Sequence, residues 1–116
     1  MSEKRILMAL NGLGLTKNDA VIYIFLAKQG PHKMRDIASV LKLHERKMHR
    51  SLNNLRSLGI VKASNEYPQE LIAVPFKEVI DLFVEVKKEQ AKAIQEAKDE
   101  LLYIWQKMTK EKSGKI

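Results

Sequence analysis

The sequence predicts a mainly α-helical fold that carries one small β-hairpin and then a single long helix. Three observations lead there. Apolar residues recur at helical spacing in four separate stretches of the first 58 residues. Two short β-prone runs, Ile60–Ala63 and Leu71–Val74, flank a segment of turn-forming residues. From Phe76 to Lys112 neither Gly nor Pro interrupts the chain, so nothing in that stretch stops a helix.

Each element follows from local chemistry. Ile6, Leu7 and Leu10 mark a helix over residues 2–11, with Ser2 placed to cap it. Gly12 and Gly14 end the pattern; a G-x-G that follows no predicted strand reads as a hinge and not as a phosphate loop. Thr16-Lys17-Asn18-Asp19 forms a capping box, in which the hydroxyl caps free amides and the acid three residues on reaches back. On the helix that follows, Ala20, Tyr23, Ile24 and Ala27 share a face, and Val21, Ile22, Phe25 and Leu26 widen it. Such a helix is expected to be deeply buried. Gly30-Pro31 terminates it.

Met34, Ile37, Ala38 and Leu41 define a short helix, and Lys42-Leu43-His44 a turn. A longer helix then runs from about Glu45 to Leu58, with Met48, Leu52 and Leu55 inward and Gly59 as its stop. Its start lacks a strong capping residue. Short helix, tight turn and longer helix make a helix-turn-helix. The hairpin directly after it, with a strand-excluding Pro68 in its loop, is a wing. The expected head is therefore a winged helix-turn-helix over residues 1–75.

Residues 76–116 are expected to form a long dimerisation helix. Val79, Phe83, Val86, Gln90, Ile94, Ala97, Leu101, Ile104 and Met108 are spaced by alternating fours and threes, with one extra step of four at Gln90. That is a coiled-coil seam with a stutter. About 37 residues at 1.5 Å each span roughly 55 Å, more than the head can cover. A second copy of the chain is the simplest partner for Phe83, Val86, Ile94, Ala97, Leu101, Ile104, Trp105 and Met108. Trp105 and Met108 read as dimer core in preference to a ligand pocket.

The charge is concentrated. The formal net charge is +7, of which residues 1–75 carry +6 and residues 76–116 carry +1. A localised basic excess is the electrostatic footprint of a nucleic-acid binder. On the helix from Glu45, with about 100° per residue and Met48 at zero, the face opposite the core centres near 160–180°. Arg46, Arg50, Asn53 and Ser57 occupy it; Lys47 and Asn54 lie on one shoulder, His49 and Arg56 on the other. Arg and Asn carry the paired donors and acceptors that match guanine and adenine edges in the major groove. An ordinary solvated face would mix Glu with Lys, and this one has no acid at its centre. Lys33 and Arg35, at the start of the preceding helix, are placed to hold a phosphate. The wing offers Lys62 and Asn65 but also Glu66 and Glu70, so its contact with DNA stays open.

Gly14-Leu15-Thr16, Asp19-Ala20, Tyr23, Gly30-Pro31, Ile37-Ala38, Leu52, Leu55, Leu58-Gly59-Ile60-Val61, Pro68 and Ala73-Val74-Pro75 together resemble the winged-helix domain of archaeal TrmB-like transcriptional regulators, with MarR-like winged helices next. The resemblance covers roughly residues 10–80, and the Ala-Val-Pro exit into a long helix is its most distinctive part. It implies a homodimer that binds operator DNA through the third helix of the motif, with a wing on each flank and dimer contacts from the helix after the wing. Three departures stand out. Glu70 and Leu71 replace the aromatic or basic residues expected in the second wing strand, and His49 stands where the family often has an aromatic. Full-length relatives also carry a large C-terminal sugar-binding domain, whereas this chain ends at Ile116, so a sugar-sensing role is not expected to carry over.

Catalysis finds no support. There is no Cys, and His32, His44 and His49 lack metal-ligand spacing, so neither enzyme activity nor a cofactor or metal is expected. No apolar run approaches the roughly 18–20 residues needed to cross a bilayer, and no cleavable signal is evident. A cytoplasmic protein is expected, with double-stranded DNA and a second copy of itself as partners; no feature specifies a small-molecule effector. Three functions fit. The first is a sequence-specific transcriptional regulator acting as a homodimer. The others are a non-specific architectural DNA-binding protein and a winged-helix protein-interaction module.

Overall fold

The computed structural model describes residues 2–113. Among them, seven elements follow one another: α1 (Ser2–Gly12), α2 (Lys17–Gln29), α3 (Met34–Leu41), α4 (Glu45–Ser57), β1 (Val61–Ala63), β2 (Leu71–Ala73) and α5 (Phe76–Ser113). The fold is mainly helical with a small hairpin wing and a long last helix. Two compact units are formed, one up to Ile80 and one from Asp81 onward. The side chain of Ser2, expected to cap α1, lies outside the described residues.

In the first unit α2 is the central helix, packed by α1, α3, α4 and β2. Its capping box is complete: Thr16 Oγ1 accepts from the Asp19 amide at 3.1 Å, and Asp19 Oδ2 accepts from the Thr16 amide at 3.2 Å. The buried stripe differs from the expected one. Asp19, Ala20, Ile22, Tyr23 and Leu26 are buried, Ile24 is half-buried and Ala27 is exposed. A helix that is apolar almost all round does not specify its own azimuth. Here the neighbours specify it, and they draw in the polar Asp19.

Helix α3 buries Ile37 and only half-buries Met34, Ala38 and Leu41. The turn to α4 passes through Lys42 in the left-handed conformation, φ 55°. Helix α4 starts without a side-chain cap at His44 and buries Met48, Ser51, Leu52 and Leu55. Gly59, φ 78°, provides the left-handed residue that turns the chain out of α4, a geometry glycine enters without steric cost.

β1 and β2 pair antiparallel with Val61 opposite Ala73, Lys62 opposite Ile72 and Ala63 opposite Leu71. The Val74 amide donates to the Ile60 carbonyl at 3.0 Å, just beyond the ladder. One further bridge comes from the α2–α3 connection, where His32 and Leu71 exchange bonds of 3.2 and 2.8 Å. A single paired residue between Pro31 and Lys33 has no sequence periodicity to betray it. Tyr23 donates its hydroxyl to the Val74 carbonyl at 2.6 Å and so pins the wing exit to α2.

Helix α5 spans 38 residues, about 57 Å at 1.5 Å each. Val79, in its first turns, is buried. In the second unit Phe83 is buried and Ala97 half-buried, while Val86, Ile94, Leu101, Ile104, Trp105 and Met108 are 40–64% exposed in the single chain. Thr109 Oγ1 donates to the Trp105 carbonyl at 2.9 Å, and Lys107 Nζ lies 5.7 Å from the Tyr103 ring centroid. Among the described residues, no helix is long and apolar enough to cross a membrane.

Candidate nucleic-acid interface

The candidate interface is the outer side of α4 with the ends of its neighbours. Burial of Met48, Ser51, Leu52 and Leu55 points that side of α4 into the head. The opposite side is left in solvent: Arg46, Lys47, His49, Arg50, Asn53, Arg56 and Ser57 are all exposed. The one acid of α4, Glu45, sits at the first helical position, where it complements the partial positive charge of the helix start. Glu45 Oε1 lies 3.7 Å from His49 Nε2, an exposed i,i+4 pair that is ionic only when the imidazole is protonated. Among the described residues, the centre of the face keeps Arg46, Arg50 and Asn53 with no carboxylate partner in an ion pair.

Asn54 is placed differently from its neighbour. It is half-buried, and its Nδ2 donates to Asp19 Oδ2 at 2.7 Å. Its amide is therefore turned toward α2. The helical wheel sets Asn54 on a shoulder of the helix without a partner, because the partner lies 35 residues away. Asp19 itself, 1% exposed, is legible in the sequence only as a cap.

Lys33 is the N-cap residue of α3 and makes no side-chain cap bond; both it and Arg35 are exposed. Arg35 and Glu45 line a hollow of about 530 Å³ between α3 and α4, floored by Met34, Ala38, Leu43 and Met48. The α3 start and the α4 start thus flank one hollow, with the cation Arg35 on one side and the carboxylate Glu45 on the other. Lys62 is exposed on β1.

At the wing tip, the Ser64 amide donates to the Glu70 carbonyl at 2.8 Å, and Ser64 Oγ accepts from the Glu70 amide at 2.9 Å. This closure carries Tyr67 at the apex, 97% exposed. Among the described residues no cluster of three His, Asp or Glu is arranged to hold a metal ion.

The architecture has known counterparts. A MarR-like transcriptional regulator from Thermotoga maritima superposes with a TM-score of 0.51 and 14% identity, over 87% of this chain and 77% of that one. MepR, a transcription regulator of the Staphylococcus aureus multidrug efflux pump MepA, gives a TM-score of 0.54 and 16% identity, over 98% and 90%. No curated protein sequence matches the chain. Helix-turn-helix, hairpin wing and basic outer helix define the class: a winged-helix, DNA-binding regulator of transcription. Residues 10–77, more than half of the chain, match the family described as "Sugar-specific transcriptional regulator TrmB", and the chain belongs to that family. The family and these structural neighbours are described as transcriptional regulators.

Proposed function

We propose that the chain acts as a homodimer that binds double-stranded DNA in a sequence-specific manner, each protomer laying α4 in a major groove. One observation carries this reading: Arg46, Arg50 and Asn53 are exposed on one side of α4 while its other side is buried in the head. A rigidly packed helix that presents forked donors and an amide has the chemistry of base-edge readout. Lys33, Arg35, Lys47 and His49 surround that centre and hold phosphates, which sets register without reading sequence. Lys62 of the wing adds a further cation on the flank. The dimer rests on α5, where Val86, Ile94, Leu101, Ile104, Trp105 and Met108 are exposed in one chain at the spacing of a coiled coil, while Phe83, also expected in the seam, is already buried within the chain. To enter successive major grooves on one face, the two α4 helices of the dimer must stand roughly 34–36 Å apart or a multiple of that.

The test is selection of bound duplexes from a random pool at about 150 mM salt, then titration of the winner against a scrambled duplex. A palindromic winner bound at least about a thousandfold more tightly is expected. Arg50→Ala or Asn53→Ala is expected to cost about 1–3 kcal/mol at particular base pairs. Uniform loss on every sequence would move that residue to the phosphate contacts. Binding without enrichment would make the protein architectural, and absence of binding would leave a protein-interaction module.

A further inference from the structure

We infer that Asp19 is a positioning residue for base recognition: through Asn54 it sets the angle at which α4 turns Arg46, Arg50 and Asn53 outward. The inference rests on the reading of α4 as the base-reading helix.

A capping acid normally sits at the surface, where its charge is solvated. Asp19 is 1% exposed, which makes it a carboxylate buried in the head. Burial of a carboxylate is costly unless its lone pairs are filled. Oδ2 accepts from the Thr16 amide at 3.2 Å and from Asn54 Nδ2 at 2.7 Å. The second bond is short and charge-assisted, the stronger kind of hydrogen bond. Capping alone does not require it.

The bond also sits where rotation matters. Residues 53, 54 and 55 run from exposed through half-buried to buried, so Asn54 lies at the border between the outer and inner faces of α4. The inner contacts of Met48, Leu52 and Leu55 are apolar and non-directional. They settle which side of α4 turns inward, while a roll of a few tens of degrees costs such contacts little. A roll of about 20° displaces a side-chain tip some 6 Å from the axis by about 2 Å. That is enough to break a base contact whose donor and acceptor must lie about 3 Å apart. The bond from Asn54 to the first turn of α2 opposes this roll, and it does so one residue from Asn53.

The experiment compares wild type, Asn54→Ala, Asn54→Asp and the exchanged pair Asp19→Asn with Asn54→Asp. In the wild type both bonds fall on Asp19 Oδ2, so in the exchanged pair the amide introduced at position 19 has to turn about its last torsion to leave its oxygen near the Thr16 amide and bring its nitrogen to the carboxylate introduced at position 54. For each, thermal unfolding is followed by circular dichroism, and Kd is measured for the selected duplex and its scramble over a range of salt. The ratio of the two Kd values is expected to fall at least about tenfold in both single variants, the loss of roughly one paired base contact. The scrambled-duplex Kd and its salt slope should stay as in wild type, because phosphate contacts tolerate a small roll. The exchanged pair should recover most of the ratio. If Asn54→Ala does not fold, the exchanged pair against Asn54→Asp carries the comparison. Parallel loss on both duplexes, an unchanged ratio in a folded single variant, or an exchanged pair that regains stability without regaining the ratio overturns the inference. A wild-type ratio near one removes the base-reading role and this inference together. A large wild-type ratio that survives Asn54→Ala removes this inference alone.

Discussion

Tyr23 shows how one buried group ties pH to stability. Its ring is buried and its hydroxyl donates to the Val74 carbonyl at 2.6 Å. Desolvation by burial pushes its pKa from 10.0 up to about 12. The folded state therefore holds the phenolic proton more tightly than the unfolded chain does. The contribution of that neutral hydroxyl is intact below pH 10 and is lost as the pH rises from there through about 12. Tyr23→Phe leaves the Val74 carbonyl without this donor and is expected to cost about 1 kcal/mol at neutral pH. The gap between wild type and variant should close above pH 10, because only the wild-type unfolded state gains by ionising there. Urea denaturation at neutral pH and at about pH 11 measures both arms, and a gap that stays constant would contradict the assignment. The polar residues of the candidate interface divide at the same scale. Arg46, Arg50 and Asn53 can be singled out from composition and a helical wheel, whereas the bond from Asn54 to Asp19 spans 35 residues and leaves no local pattern.

At the scale of elements, local chemistry is the better guide wherever the signal is local. The Thr16 capping box, the stop at Gly30 and the turn at Gly59 each follow from residues within four positions of one another. The azimuth of α2 does not, because its apolar residues surround the helix and periodicity selects no single face. The His32–Leu71 bridge is equally out of reach: one residue pairs, and strand patterns need several. The α3–α4 connection carries its own prediction. Lys42 occupies the left-handed region at φ 55°, which costs a side-chain-bearing residue roughly 1 kcal/mol. Lys42→Gly is expected to stabilise the head by a few tenths of a kcal/mol, the relieved strain less the roughly 0.4–1 kcal/mol that glycine adds in unfolded-state entropy. A chemical-denaturation midpoint that drops would show that the Lys42 side chain contributes more than its backbone strain removes.

At the scale of the molecule, the behaviour of the chain turns on what covers α5. Leu101 and Ile104 are 51% and 44% exposed, and Trp105, the single tryptophan, is 60% exposed. The proposed dimer buries this stretch. Dilution through the dissociation range is then expected to shift Trp105 emission to longer wavelength as the indole meets water. Leu101→Lys with Ile104→Lys should give a monomer by sedimentation at concentrations where wild type is dimeric. The same pair should weaken binding to a palindromic duplex strongly and to a half-site little, since linked sites raise effective concentration. Wild type that sediments as a monomer at all accessible concentrations would refute the dimer.

Taken alone, the sequence was enough to determine the order and kind of the elements, the wing, the reach of the long helix and the basic outer face of α4. All of these depend on spacing or composition within a few helical turns. Tertiary structure decided the rest: which face of α2 is buried, that Asp19 goes inward with Asn54 as its partner, that Tyr23 holds the wing exit, and that His32 joins the sheet. Those features arise between residues far apart in the chain, where the partner that makes a buried polar group tolerable is supplied only by the fold.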